Sequence, residues 1–418
     1  MSSEPDERLV PRKSRVRHHL MSMAVAWNRA SRLVWTSPSG PVVCGGAIAL
    51  LLALTLDLTS YLGYLSLART WLMTGEGPGD FMPIGFTAFV YVGLRLGGEA
   101  LLKSMQWLAY VSTLALSWRL SKEFQQQPDR PSTIPLWVIT FHPFLLLNVT
   151  RVSDNAIAVP LFLATILLML TPRSRRGGTF RTVGIGTVLG LASLVRPNLL
   201  LLAALAGSTP LRRVRELAGV VGLALTISAA GVWAASGIVR IVPRNGAYNF
   251  YAGANTYTRE TLLALYDAEQ SLPLALRDYR QVHSRDLEED EYLSEALRFI
   301  RSHPLSFAEL GVLKIVTLLR ADQVRTGGRL RYWSVMLVQT LLTVPVPLAI
   351  AAMVSQYRRG WSRTDSVVAG AMCLYVLPFA LTLAAPRLRL PLDIICLNYA
   401  VSVAAVIGRS RFTRALSA

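Results

Sequence analysis

Four polar features interrupt the apolar ends of this chain, and their residue types suit one kind of chemistry. They are Asp57, Asp154 in Arg151-Val-Ser-Asp-Asn155, Arg196 in Val195-Arg-Pro-Asn198, and the pair Arg387 and Arg389. A carboxylate can act as a base toward a hydroxyl. Guanidinium groups can clamp a phosphate and stabilise the charge it develops on leaving. Asp57 stands where the first long apolar run, beginning at Pro41, gives way to Asp57-Leu-Thr-Ser-Tyr-Leu-Gly-Tyr64. An acid at a membrane boundary is costly to desolvate and marks a functional site by default.

The elements that must position these residues are apolar. Of the 418 residues, 52% are hydrophobic and only 16% charged, against about 25% charged in an ordinary soluble domain. Runs of near-spanning length recur at 41–56, 82–97, 104–120, 133–149, 155–171, 182–206 and 214–236. They resume at 306–320, 332–354, 365–384 and 390–407. At about 20 residues per span, this predicts an all-α polytopic membrane protein of about 10–12 transmembrane or re-entrant helices with a small extracytoplasmic segment. The runs are continuous rather than alternating, which argues against a β-barrel.

The net charge of +18 is not a nucleic-acid signal. The arginines fall in short clusters between apolar runs: 173–181, 212–215, 358–363 and 409–414. That is a positive-inside pattern, and it favours contact with membrane lipids. The seven Lys/Arg residues before the first run (Arg8, Arg12, Lys13, Arg15, Arg17, Arg29, Arg32) place the N-terminus in the cytoplasm of a multi-pass plasma or inner membrane protein. Cys44, Cys373 and Cys396 all lie in apolar runs, with neither disulfide nor zinc spacing.

Four regions follow: a basic tail, 1–40; an N-terminal transmembrane core, 41–236, with a first outer loop at 57–80; a polar extracytoplasmic segment, 237–305; and C-terminal transmembrane helices with a short basic tail, 306–418. The basic tail after Gly408 and the cluster 358–363 belong on the cytoplasmic side. The connector Ala385-Pro-Arg-Leu-Arg-Leu-Pro391 is then external, and its arginines need another explanation. Clusters 173–181 and 212–215 also look cytoplasmic, yet one apolar stretch separates them. Two half-helices meeting at Arg196-Pro197 would reconcile this, because broken backbone is tolerated in protein-lined cavities. The run 306–320 raises the same difficulty and reads as interfacial or spanning.

Each feature also has a bland reading. Asp57 and Asp154 would cap the helices that follow them. Arg196 would snorkel to headgroups, and Arg387 and Arg389 would bind lipid phosphates nonspecifically. His142, in Phe-His-Pro, reads as a packing or kink residue. In Asn245-Gly-Ala-Tyr-Asn-Phe-Tyr-Ala-Gly-Ala-Asn255, Tyr248 and Tyr251 can stack on a sugar or acceptor face and Asn255 can bond hydroxyls, or the segment is an ordinary irregular loop.

Sugar transfer from a lipid-phosphate donor needs both an acid and an arginine clamp at a membrane surface. The order of local features resembles the GT-C superfamily of membrane glycosyltransferases, especially bacterial relatives of protein mannosyltransferases and aminoarabinose transferases. The features are Asp57 with Tyr61 or Tyr64 and Ala68, Pro83-Ile-Gly-Phe86, Ser153-Asp154, Gly190-Leu-Ala-Ser-Leu-Val-Arg-Pro197, the Asn249–Asn255 segment, His303-Pro304 leading to Lys314, and Arg387-Leu-Arg-Leu-Pro391. The resemblance implies an inverting transferase using a polyprenyl-phosphate sugar outside the cytoplasm. By it, Asp57 is the base and Asp154 a second catalytic acid that assists or binds a divalent metal in some members. Arg387 and Arg389, with Arg196, hold the donor phosphate, and Tyr61 joins the substrate contacts. The acceptor is a glycan, lipid or protein. Two rival readings stand beside it: a secondary transporter, and a non-catalytic lipid-carrier or assembly protein of the cell envelope.

Overall fold

The computed structural model describes residues 37–60, 63–79, 82–125, 131–171, 178–206, 210–241, 243–264, 287–319, 343–382 and 386–417. It is built from helices, as the apolar runs predict. In the N-terminal half these are α1 (Ser39–Thr55), α2 (Tyr64–Thr74), α3 (Ile84–Gln125), α4 (Ile134–Thr140), α5 (Pro143–Leu147), α6 (Asn155–Leu170), α7 (Gly178–Val195) and α8 (Pro210–Ser236). Then come α9 (Asn245–Gly253), α10 (Thr258–Ala264), α11 (Glu289–Ser302), α12 (Pro304–Leu319), α13 (Pro345–Tyr357), α14 (Arg363–Leu381) and α15 (Leu390–Ser417). Two 3-10 segments, Pro197–Leu205 and Pro386–Arg389, complete the helical part of the described residues. A parallel pair of two-residue strands, β1 (Thr59–Ser60) and β2 (Arg151–Val152), is the sheet among the described residues.

Among the described residues, four helices are long and apolar enough to cross a membrane: α3, α14, and the stretches Val214–Ser236 of α8 and Leu390–Gly408 of α15. The pair α11 and α12, bent by 110°, makes a fifth if read as one span, and α1, α6 and Thr179–Val195 of α7 are shorter apolar helices. The all-α polytopic reading therefore holds. The 42 residues of α3 are two helices in effect, broken where Gly98 takes a φ of 64°. A Cβ on Gly93 would lie 3.1 Å from the Leu102 backbone. In a straight helix, nine residues would separate them by about 13 Å, so the halves fold back on each other. The apolar run 133–149 is likewise broken, into α4 and α5 at Phe141-His142, where Pro143 cannot continue the first helix.

The parity problem around Arg196 resolves through α7 and α8. A Cβ on Gly186 would meet Leu223 at 3.1 Å, one on Gly190 would meet Ile227 at 2.7 Å, and one on Gly231 would meet Leu194 at 2.6 Å. The contacts advance together along both helices, so α7 and α8 run parallel. Small residues four apart permit the close approach. Parallel neighbours need a return crossing between them. The 3-10 segment Pro197–Leu205 forms part of it, running back until Leu205 would abut a Cβ on Gly370 of α14 at 2.6 Å.

Two arginines from the predicted cytoplasmic clusters meet at one end of the bundle. Arg181 donates to Leu168 O and Met169 O at 3.0 and 2.9 Å, and Arg363 donates to Met169 O at 2.9 Å. Together they satisfy orphan carbonyls at the C-terminus of α6. Asp154 precedes the other end of that 16-residue helix, about 24 Å away. Residues α9 to α11 form a second apolar cluster around Tyr251, Ala254, Leu287, Tyr292 and Ala296. It is tied to the bundle at Gly253, where an added Cβ would lie 2.5 Å from the Thr382 backbone.

Candidate functional site

The second half of α3 sets the first part of the site. Lys103, Gln106 and Trp107 share one helical face. Lys103 Nζ donates to Leu56 O at 2.8 Å, beside Asp57. Gln106 Nε2 donates to Asn148 O and Arg151 O at 2.7 and 2.9 Å, and Trp107 Nε1 to Gly46 O at 2.8 Å. One helix thus fixes both acid-bearing connectors. The connectors then pair with each other: Thr59 opposes Arg151 and Ser60 opposes Val152, with Thr59 N bonded to Thr150 O at 3.0 Å. Asp57 is exposed, two residues before this pairing.

Asp154 is buried, two residues beyond it, and its carboxylate belongs to Arg196. Arg196 Nε donates to Asp154 Oδ2 at 2.6 Å. Its Nη2 donates to Asn155 Oδ1 at 2.8 Å, and its Nη1 to Tyr375 Oη at 2.8 Å and Leu388 O at 3.0 Å. Four of the five guanidinium N–H groups are thereby engaged. Arg196 thus joins α6, α7 and α14 to the turn carrying Arg387 and Arg389. Tyr375 Oη reinforces the link by donating to the same Leu388 carbonyl. Tyr64 of α2 is buried, in T-shaped contact with Phe86, 4.9 Å between centroids. Its phenol is held well above its ordinary pKa by burial, with Asp154 adding to that and Arg196 opposing it.

Two further buried cations brace the elements on either side of this turn. Arg389 donates through Nε to Asp393 Oδ2 at 2.9 Å and through Nη1 to Leu319 O. Lys314 donates to Ala380 O and Leu381 O, at 3.0 and 3.3 Å, and sits 5.1 Å over the Phe307 ring. Those carbonyls end α14 and need donors from elsewhere. The side chain of Arg387 and all of Tyr61 lie outside the described residues.

The candidate contacts of the extracytoplasmic segment take a different form. Asn245–Gly253 is a helix rather than a loop. Tyr248 and Tyr251 pack on Tyr292, with centroids 5.7 and 5.6 Å apart. Asn255 is buried in a turn of its own making: Nδ2 donates to Tyr251 O at 2.6 Å, and Oδ1 accepts from Tyr257 N at 2.8 Å. These three residues are committed to the local fold.

The structure therefore links Asp57, Asp154, Arg196 and the arginine turn through one run of contacts at one end of the bundle. It does not place Asp57 in the buried ion pair. Among the described residues, no group of three His, Cys, Asp or Glu side chains is spaced to hold a metal ion. Sequence reasoning missed Asn155, Tyr375, Lys103, Gln106 and Asp393. Asp393 carried a usable signal, an acid four residues after Arg389 inside an apolar helix. Tyr375 carried none.

The chain is similar to ArnT from Cupriavidus metallidurans. The likeness is to its crystal structure in the apo state, at 16% identity and a TM-score of 0.38, covering 86% of this chain and 78% of that one. No family model matches the chain, and no curated protein matches it. The geometry above carries the functional reading.

Proposed function

We propose that this protein is an integral-membrane glycosyltransferase. It moves a sugar from a polyprenyl-phosphate donor to an acceptor hydroxyl on the extracytoplasmic face, with inversion. The observation that carries the reading is the link just described, because acid and arginine turn share one end of the bundle, opposite the Arg181 and Arg363 end.

In this reading the residues divide by what they are free to do. Asp57 is exposed and acts as the base. Its carboxylate takes the acceptor proton as the acceptor oxygen bonds to the anomeric carbon. The bond from that carbon to the donor phosphate breaks, and the leaving phosphate keeps the electron pair. Arg387 meets that charge. Asp154, Arg196 and Arg389 act one step back, because their groups are largely spent on each other and on the turn. They preorganise the phosphate site rather than filling it. The membrane supplies the donor laterally, which suits a site built at helix ends.

The test is sugar transfer in reconstituted membranes from a polyprenyl-phosphate donor, with wild type beside Asp57→Asn. Transfer by the wild type that vanishes in Asp57→Asn is the expected result. Equal turnover in the two would overturn the base assignment, and no turnover with any such donor would overturn the reading as a whole.

A further inference from the structure

At the end of the bundle away from the candidate site, the turn between α13 and α14 carries charge that the reading above does not use. Its sequence is Tyr357-Arg-Arg-Gly-Trp-Ser-Arg363. The turn is firmly built. Gly360 takes a φ of 118°, which a side chain there would resist. Ser362 and Asp365 cap α14 reciprocally: Asp365 N donates to Ser362 Oγ at 3.2 Å, and Ser362 N to Asp365 Oδ2 at 2.8 Å. The hydroxyl of Tyr399, from α15, donates to Asp365 Oδ1. Trp361 Nε1 donates to Ser366 Oγ at 2.6 Å, and the Tyr357 ring meets the indole edge-on, 6.1 Å between centroids. Arg363 is pinned to Met169 O beside Arg181.

That frame leaves Arg358 and Arg359 exposed, and neither side chain has a hydrogen bond or ion pair among the described residues. The one acid between Tyr357 and Ser366 is Asp365, which is buried and spent on Ser362 and Tyr399. The positive charge is therefore uncompensated within the turn. The approach to it is apolar. Ile350, Val354 and Tyr357 share one face of α13 and are 52%, 49% and 73% exposed. Trp361, 43% exposed, stands just past the arginines. An exposed aliphatic stripe thus ends in an aromatic pair that brackets two guanidiniums. That is the order of acyl chains, interface and headgroups in a lipid leaflet. A soluble acidic protein or a nucleic acid would match the arginines but not the stripe. We propose that this turn is a binding site for an anionic phospholipid. Arg358 and Arg359 meet the headgroup phosphate, and Tyr357 and Trp361 lie at the level of the glycerol backbone. The site is independent of the transferase reading.

Native mass spectrometry of the full-length protein in detergent tests it, with phosphatidylglycerol titrated beside phosphatidylcholine. The wild type should retain phosphatidylglycerol in preference. Arg358→Gln with Arg359→Gln should weaken that retention about 30-fold, about fivefold for each arginine, and leave phosphatidylcholine retention unchanged. Both arginines are exposed and unpaired, so this variant folds as the wild type does. Arg298→Gln with Arg301→Gln removes the same charge from exposed positions on α11 and should leave phosphatidylglycerol retention near that of the wild type. Three results would each overturn the proposal: equal retention of the two lipids by the wild type, undiminished phosphatidylglycerol retention without Arg358 and Arg359, or an equal loss in the α11 variant. Inorganic phosphate in excess should not displace the lipid. Displacement would show the turn to be a site for free anions and would overturn the lipid assignment.

Discussion

Replacing Asp154 by Ala should destabilise the protein far more than its two oxygen atoms suggest. The Asp154 and Arg196 side chains are 10% and 5% exposed, and their contact is 2.6 Å. Removing one partner of such a pair strands the other charge out of water, at a cost of about 3–5 kcal/mol. Substituting both partners removes that penalty. Asp154→Leu with Arg196→Met also loses the Arg196 bonds to Asn155, Tyr375 and Leu388, but it relieves the desolvation of both charges, and such replacements of a buried pair are often neutral or stabilising. The double variant should therefore lie within about 2 kcal/mol of wild type. It should nonetheless transfer no sugar, because nothing on α7 then holds the Leu388 carbonyl. Unfolding of the purified protein in lipid nanodiscs, followed by tryptophan fluorescence, gives the stabilities. The reasoning fails if Asp154→Ala unfolds within about 1 kcal/mol of wild type, or if the double variant is no more stable than the single.

Four other substitutions probe three separate links. Asp57→Asn should lower transfer by about 100-fold or more and leave stability within about 0.5 kcal/mol, since the side chain is exposed; activity and melting curves on one preparation check both. Arg387→Ala should weaken donor binding without changing the melting temperature, whereas Arg389→Ala should lower it by leaving Asp393 buried and unpaired; equal melting shifts for the two would contradict this. Gly253→Ala forces a methyl to 2.5 Å from the Thr382 backbone, and the resulting shift should cost about 1–3 kcal/mol. Unaltered stability there would show that the small unit and α14 separate without loss.

The helical membrane architecture was legible because burying backbone in lipid leaves few alternatives and apolar runs record that directly. The charge clusters were legible for the same reason: Arg181 and Arg363 were assigned to one face, and they meet on the Met169 carbonyl. The broken stretch at Arg196-Pro197 was legible from a proline beside a charge. Its form, a helix followed by a 3-10 return, was not, because it depends on α8 lying parallel to α7. The convergence of the site residues was not legible either. It is made by long-range partners such as Tyr375 and Gln106, whose identities say nothing of whom they face. Hydropathy also gave no warning that Asn255, Tyr248 and Tyr251 would be spent on their own small core.

The return segment Pro197–Leu205 bears on how the chain is made. Nine residues of 3-10 helix extend about 18 Å, well short of a hydrocarbon core of about 30 Å. It is too short to be inserted as a span by itself, and Arg196 stands at its head. During synthesis Asp154 is already in place when Arg196 emerges, because it lies 42 residues earlier. Tyr375 and Leu388 arrive 179 and 192 residues later. Asp154 and Asn155 thus precede a charge whose two remaining partners, Tyr375 and Leu388, do not yet exist. A nascent chain stalled after α8 should keep Arg196 in the bilayer, and the same chain with Asp154→Ala should be handed to membrane quality control, as pulse-chase decay of the two stalled products would reveal.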